Sequence, residues 1–339
     1  MAKNSIELFK ENAPELLDKV YKAVCTTSDF DINGALVKAG ANANEIIVPK
    51  LDMDGLGDYD RNSGYLDGDV TLTNETVKFN YERGRKLKTD AIDNEETGGV
   101  IMANLSSEFL RTKVAPEVDA VRYATYSSLG DITDVAPEGI EYKTGEEVLK
   151  ALQDVMTKLD DDEVPEEGRY LRINATLLSM AEFVSRTTNN DILKKFTQIK
   201  KVPQSRFLTK IELKSGKDAD GERIGGYTKV ADKYELTTDS SIVSGKTYYT
   251  KSSDKYTKVE TPASDSLSTY YELKEKGSRE LNFMVIHKPA MLQYTKHAKM
   301  KIFTPDSDDS GDFYRMLYRI YGLNDAYENK RAGIAVSHK

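Results

Sequence analysis

At 339 residues the chain can hold one large domain or two of ordinary size, and 39% hydrophobic residues suffice for a sizeable core. A formal charge of −8 argues against a chain whose main task is gripping phosphate backbones, and a lone cysteine, Cys25, excludes an internal disulfide or a cysteine metal cluster. No apolar run approaches bilayer length, and the first residues, MAKNSIELFKENAPELL, have no apolar core of a leader, so the chain is expected to stay in the compartment where it is made.

Pro14 at a first helical position, with Leu17, Val20, Tyr21 and Val24 behind it, predicts a short amphipathic helix. The small, polar stretch TTSDFDINGALVKAGANAN then reads as a tether. From Glu45 to Asp90 two apolar-alternating arms, EIIVPKL and DVTLTNETVKF, flank an acidic, glycine-rich connector, DMDGLGDYDRNSGYLDG. This is a hairpin too long to bury its own connector. Pro49 assigns the first arm to a sheet edge. In the second arm Val70 and Leu72 fall out of phase with Val77 and Phe79, which predicts a bulge or bend at Asn74–Glu75. Charge is blocked: Asp52, Asp54, Asp58, Asp60, Asp67 and Asp69 stand against Arg61, then Lys78, Arg83, Arg85, Lys86 and Lys88 against Glu82. Such blocks are either solvated faces or two halves of a contact between copies. Asp58-x-Asp60-x-Asn62 begins like a calcium loop but fails, with Ser63 where the turn wants Gly and Asp69 where a bidentate Glu is needed.

After Glu95 and Glu96 the period turns helical through Ile101, Leu105, Phe109 and Leu110, is interrupted at Pro116, and resumes through Val118, Val121 and Ala124. Thr144-x-x-Glu147 has the form of a capping box before Val148, Leu152, Val155, Met156 and Leu159. A strand at Tyr170–Ile173 and a helix at Leu177–Val184 predict a mixed α/β layer. Residues 227–273 change character, rich in Tyr, Thr, Ser and Lys with frequent turn signals, and read as a small inserted all-β unit. YTKV recurs at Tyr227 and Tyr256, and YEL at Tyr234 and Tyr271, as from a short duplication. Strands over 281–286, 298–303, 313–321 and 326–336 return to complete the earlier sheet.

No catalytic constellation emerges. His287 and His297 lack a third ligand at zinc spacing, His338 is near the end of the sequence, and no nucleophile elbow, Walker loop or dinucleotide fingerprint occurs. The acids sit in loops and runs rather than at the ends of strongly apolar strands. No catalytic, cofactor-binding or metal residue is assigned, no cofactor is expected, and the chain is read as not an enzyme.

This order of parts, together with IIVPKLDMDGLGDYDRNSGYLDGDVTLTNETVKFNYERGRKLKTDAIDNEETGG, LSSEFLRTKVAPEVDAVRYATYSS, LNFMVIHKPAMLQYTKHAKMKIFTPD and YENKRAGI, resembles the major capsid proteins of tailed bacteriophages with the Hong Kong phage-type fold. The resemblance implies an α+β chain: N-terminal arm (1–44), extended β-hairpin loop (45–90) lying over a neighbouring subunit, and peripheral domain with a spine helix (91–130). It further implies the first part of a mixed axial domain (131–226), the Tyr-rich insertion (227–273), and return strands completing axial and peripheral domains (274–339). The implied function is self-assembly into pentamers and hexamers of an icosahedral head around double-stranded DNA, the chain being made in the bacterial host cytoplasm and residing in the virion. The expected partners are the chain itself, a separate scaffold protein, a portal, packaged DNA contacted without sequence readout, and a decoration protein, with no membrane. The blocked aspartates and basic residues named above are the expected assembly contacts. Members that begin with a cleaved scaffolding region differ from this chain, whose hairpin starts near Glu45, and no Lys–Asn weld is expected. The alternative is a surface-binding, adhesin-like protein acting through the Tyr-rich module.

Overall fold

A computed structural model describes residues 24–32, 38–39, 45–59, 61, 64–65, 67–92, 100–188, 191–217, 224–238, 241–244, 246–253, 255–263, 268–307 and 311–339. The expected helix after Pro14 lies outside them, as do Asp60, Asn62 and Ser63. In chain order come β1 (Lys38–Ala39), β2 (Glu45–Met53), β3 (Val70–Lys78), β4 (Tyr81–Asp90), α1 (Val100–Phe109), a π-helical stretch Leu110–Val114 and α2 (Ala115–Ser127). β5 (Thr133–Asp134), α3 (Gly145–Asp161), β6 (Arg169–Asn174), α4 (Ala175–Thr188) and β7 (Gln198–Val202) follow. β8 (Ile211–Leu213) and β9 (Tyr227–Lys229) precede β10 (Lys233–Leu236), β11 (Tyr249–Ser252), β12 (Lys255–Lys258) and β13 (Tyr271–Glu275). β14 (Leu281–His287), β15 (Met291–Phe303), β16 (Phe313–Ala326) and β17 (Ile334–His338) close the chain, which is of the α+β class.

The chain folds as two compact units, Met1–Thr112 with Pro289–Glu328, and Lys113–Lys288 with Asn329–Lys339. The division falls inside the π-helical stretch. That stretch directly precedes Pro116, which cannot donate to a helical carbonyl and whose ring crowds the preceding turn; a widened turn accommodates both.

In the first unit β15, β16 and β4 form an antiparallel sheet, and β1, β2 and β3 a second one. The expected hairpin therefore ends at Lys78 rather than Asp90. Asn80 is the reason: its Nδ2 donates to the Asn324 carbonyl at 2.7 Å and its Oδ1 accepts from the Asn324 N–H at 3.0 Å, so the chain is pinned to β16 as it leaves the hairpin. β2 is the middle strand rather than an edge, although β1 covers it only at Ile46 and Ile47. Pro49 is tolerated because the Asp54 N–H bonds the Asp69 carbonyl; alternation then turns the nitrogens of odd-numbered β2 residues away from β3. The β2–β3 register runs unbroken from Glu45↔Lys78 to Met53↔Val70, so there is no bulge at Asn74–Glu75.

The second unit is built on a five-stranded mixed sheet, β5-β17-β14-β6-β7. α3 and α4 cover one face, burying Val148, Leu152, Val155, Met156 and Leu159 with Leu177, Leu178 and Ala181 against Leu171, Ile173, Phe283 and Val285. Burial of such side chains contributes about 1.5–3 kcal/mol each. The capping box forms: Thr144 Oγ1 accepts from the Glu147 N–H, and Glu147 Oε2 accepts from the Thr144 N–H, both at 3.3 Å. β14 is buried on both faces, as befits a central strand. The closing strands divide: β14 and β17 complete this sheet, whereas β15 pairs with β16 and β16 with β4 in the first unit, and 328–333 is a 3-10 turn where a strand was expected.

The Tyr-rich unit is a separate four-stranded sheet, β10-β13-β11-β12. Tyr234 of β10 stacks on Tyr256 of β12 with centroids 4.0 Å apart and planes within 12°. In a flat sheet these two edge strands would stand about 14 Å apart. The sheet must curl, and Tyr249 and Tyr271 join the enclosed cluster edge-on. The neighbouring Tyr248 and Tyr270 point to the other face, are buried, and accept the Val243 and Ala263 N–H groups through their hydroxyls, each at 3.1 Å. Of the two sequence echoes only YEL is structural, since its copies pair antiparallel about Glu235↔Glu272; the first YTKV, as β9, pairs β8 outside this sheet.

Candidate assembly surface

The hairpin changes the polarity of its faces along its length. Near its base Ile46 and Val77 are buried with Leu292 and Leu323, and Phe79 stacks on Tyr321 at 4.7 Å. That side then becomes polar toward the tip, through Val48 and Glu75 to Lys50, Thr73, Asp52 and Thr71. The opposite side carries Glu45, Lys78, Ile47, Thr76, Pro49 and Asn74 nearer the base and the cross-strand pairs Leu51↔Leu72 and Met53↔Val70 near the tip. These four are 56%, 63%, 61% and 69% exposed. Nine residues per strand carry them about 30 Å out. The phase slip in the second arm was the signal for this: with the register intact, Val70 and Leu72 necessarily face away from Val77.

Among the expected contact residues, Asp52 is exposed on the polar side, and Asp58 and Asp67 are exposed in the connector. Asp54 and Asp69 have a local task. The Asp54 N–H donates to the Asp69 carbonyl at 3.2 Å while Asp54 Oδ2 accepts the Asp69 N–H at 2.9 Å, closing the neck of the connector. Within the connector Tyr59 and Tyr65 meet edge-on at 4.9 Å.

The basic block is divided by strand alternation. Lys78 ends β3 opposite Glu45, whereas the others lie on β4. Arg83 and Arg85 share the half-buried face of β4 with Leu87, opposite Ile320, Tyr318 and Met316. Lys86 and Lys88 take the exposed face, where Arg315 and Arg319 of β16 and Lys299 and Lys301 of β15 join them across the ladder. Arg319 is paired there with Glu82, its Nε donating to Oε1 at 2.9 Å, and Lys88 Nζ lies 3.0 Å from the Phe313 ring centroid. Phe303 and Leu317 sit among these cations on the same face. Lys299, Lys301 and Arg315 escaped sequence reasoning because they are distant in the chain and only the antiparallel register aligns them.

No family model matches the sequence, and no curated protein matches it. Among solved structures, the chain is similar to the capsid of cyanophage P-SCSP1u, with 11% identity, a TM-score of 0.48, and coverage of 89% of this chain and 85% of that one. It is similar to a virus-like particle from Pyrococcus furiosus at 10% identity and a TM-score of 0.45, covering 95% of both chains. The capsid of Staphylococcus phage Andhra matches at 9% identity and a TM-score of 0.46, over 89% of this chain and 83% of that one. Likenesses this distant leave function to be argued from the chain's own residues.

Proposed function

We propose that the chain is a shell-building subunit, a major capsid protein that self-associates into rings and closed particles in the virion. The observation that supports this best is the hairpin, which offers about 30 Å of extended structure with an exposed apolar end and an acidic connector, features that no other part of the described chain covers. Tiling a closed shell demands obligate interfaces of upwards of about 2,000 Å², and a projecting arm supplies area that a compact globule lacks. The same chain carries the complementary charge on the exposed face of β4, β15 and β16. The sequence resemblance to the tailed-phage capsid family agrees with this reading, and the division into arm, extended loop, peripheral, axial and inserted parts is adopted as part of the proposal. A scaffold, a portal, a decoration protein and packaged DNA are its proposed partners.

An adhesin acting through tyrosines is disfavoured, because the cluster of Tyr234, Tyr249, Tyr256 and Tyr271 is spent on packing within its own curled sheet. Size-exclusion chromatography with negative-stain microscopy tests the proposal. Rings or closed particles are expected, and a monodisperse monomer at high concentration, with scaffold present, refutes it.

A further inference from the structure

The neck of the connector carries a chemistry that does not depend on whether the chain builds a shell. Among the described residues aspartate precedes glycine twice, at Asp54–Gly55 and at Asp67–Gly68, one step on each side of the neck. An aspartate before glycine is open to attack on its side-chain carboxyl by the next backbone nitrogen, because glycine has no Cβ to shield that nitrogen. Both glycines are accessible: a Cβ on Gly55 would meet nothing within 4 Å, and one on Gly68 would come no nearer than 3.7 Å to Asp54 Cβ, an ordinary contact. The two carboxylates differ. Asp54 Oδ2 accepts the Asp69 N–H at 2.9 Å, which ties that carboxylate across the neck and away from the Gly55 nitrogen. Asp67 is exposed, and among the described residues its carboxylate has no partner. We infer that Asp67–Gly68 is a site of spontaneous covalent modification, isomerisation to isoaspartate, and that the neck bond protects Asp54–Gly55 from the same reaction.

The reaction consumes no oxidant and no cofactor. The Gly68 nitrogen bonds to the side-chain carboxyl carbon of Asp67, and the carboxyl hydroxyl leaves with the amide proton as water, giving a cyclic imide. Water then adds at the main-chain carbonyl of Asp67 and breaks its bond to the Gly68 nitrogen. The chain now runs through the former side-chain carboxyl, and the former main-chain carboxyl is the free one. Mass and charge return to their starting values, but the backbone has gained one carbon atom. That atom enters just before Gly68 and Asp69, and Asp69 supplies both neck bonds, its N–H to Asp54 Oδ2 and its carbonyl to the Asp54 N–H. Asp69 is displaced from Asp54, and the Asp54 carboxylate is released. A hydrogen bond to a carboxylate slows a reaction that must first break it by about tenfold or more. Isomerisation at Asp54 therefore follows that at Asp67, and not the reverse.

The test incubates the full-length chain for weeks at neutral pH and digests samples over time. Isoaspartate is located by electron-transfer fragmentation of the peptides and counted by methyl transfer from an isoaspartyl methyltransferase. In the early samples isoaspartate at position 67 is expected to exceed that at position 54 by at least about tenfold, with position 54 rising only after a lag. Gly68→Ala, whose Cβ the neck accommodates, is expected to suppress the signal at 67 and lengthen the lag at 54, with thermal unfolding unchanged. Asp69→Pro deletes the tethering N–H and is expected to bring Asp54 up to the rate of Asp67 from the start. Absence of isoaspartate at 67, or equal early amounts at 67 and 54 in the unaltered chain, overturns the site. An Asp54 that stays slow in Asp69→Pro overturns the protection assigned to the neck bond.

Discussion

His287 ends β14 with its ring buried, and burial pushes its pKa below the ordinary 6.5; the nearby Arg169 and Lys330 charges push the same way against a hydrogen bond with the Glu167 backbone. A depressed imidazole binds its proton more weakly folded than unfolded. Stability is then full above about pH 6.5 and falls as pH drops from there toward the lowered folded value. Urea unfolding across this window should show that slope, and His287→Gln should flatten it relative to the unaltered chain; equal slopes contradict the assignment. A second residue-scale case is Asp119, wholly buried on α2, whose Oδ2 accepts from Arg206 Nη1 at 3.0 Å. Removing the cation takes a charged partner from a buried carboxylate, so Arg206→Ala should cost about 3 kcal/mol, and Asp119→Asn in the same background should recover part of it. Denaturant midpoints measure both. Neither role was legible in the sequence, where Asp119 occupies a helix position like any other and Arg206 follows it by a long interval.

Among the elements, helix α3 was the most legible, because a capping box and a helical apolar stripe are local signals that its packing then satisfies. The hairpin was legible in its existence and not in its extent. Phe79 continues the alternation of the second arm, and only the bonds between Asn80 and Asn324 show where the arm ends and β4 begins. Deleting Asp52–Asp69 should leave thermal unfolding within a few degrees of the parent and abolish particles in negative stain; normal shells from that variant would remove the hairpin from assembly. The four-stranded Tyr-rich sheet sits on a neck where Asp232 Oδ1 accepts the Gly277 N–H at 2.7 Å and Arg279 Nη1 at 2.8 Å. Burial pushes the Asp232 carboxyl up, yet these bonds hold it below its usual value, so the neck keeps its charge in any neutral buffer. Gly277 is obligatory there: a Cβ would stand 2.5 Å from the Val230 carbonyl oxygen. Because β9 pairs β8 below this neck, the clean excision is Lys233–Glu275, joined by a short flexible linker. The remaining chain should fold with native circular dichroism, and a chain left unfolded by the excision would show the sheet to be integral rather than added.

On the shell reading proposed above, charge segregation would make association of the whole molecule salt-sensitive: a net −8 chain repels its copies, whereas the acidic connector and the basic face of β4, β16 and β15 would steer them together. Light scattering should therefore show faster association at low salt with an end point that salt changes little, and a salt-independent rate would count against the steering role. The sequence by itself determined the mixed α+β character, helix α3 with its local cap, the two alternating arms of the hairpin and the all-β character of the Tyr-rich segment, since each rests on composition or on periodicity within a short window. Tertiary structure alone decided which face of the hairpin is apolar at its tip, which of the basic residues share a surface, and that the tyrosines are spent as a core. The reason is physical: strand pairing converts a one-residue difference in parity into opposite faces, and it aligns residues such as Lys86, Arg315 and Lys301 that no sequence window contains together.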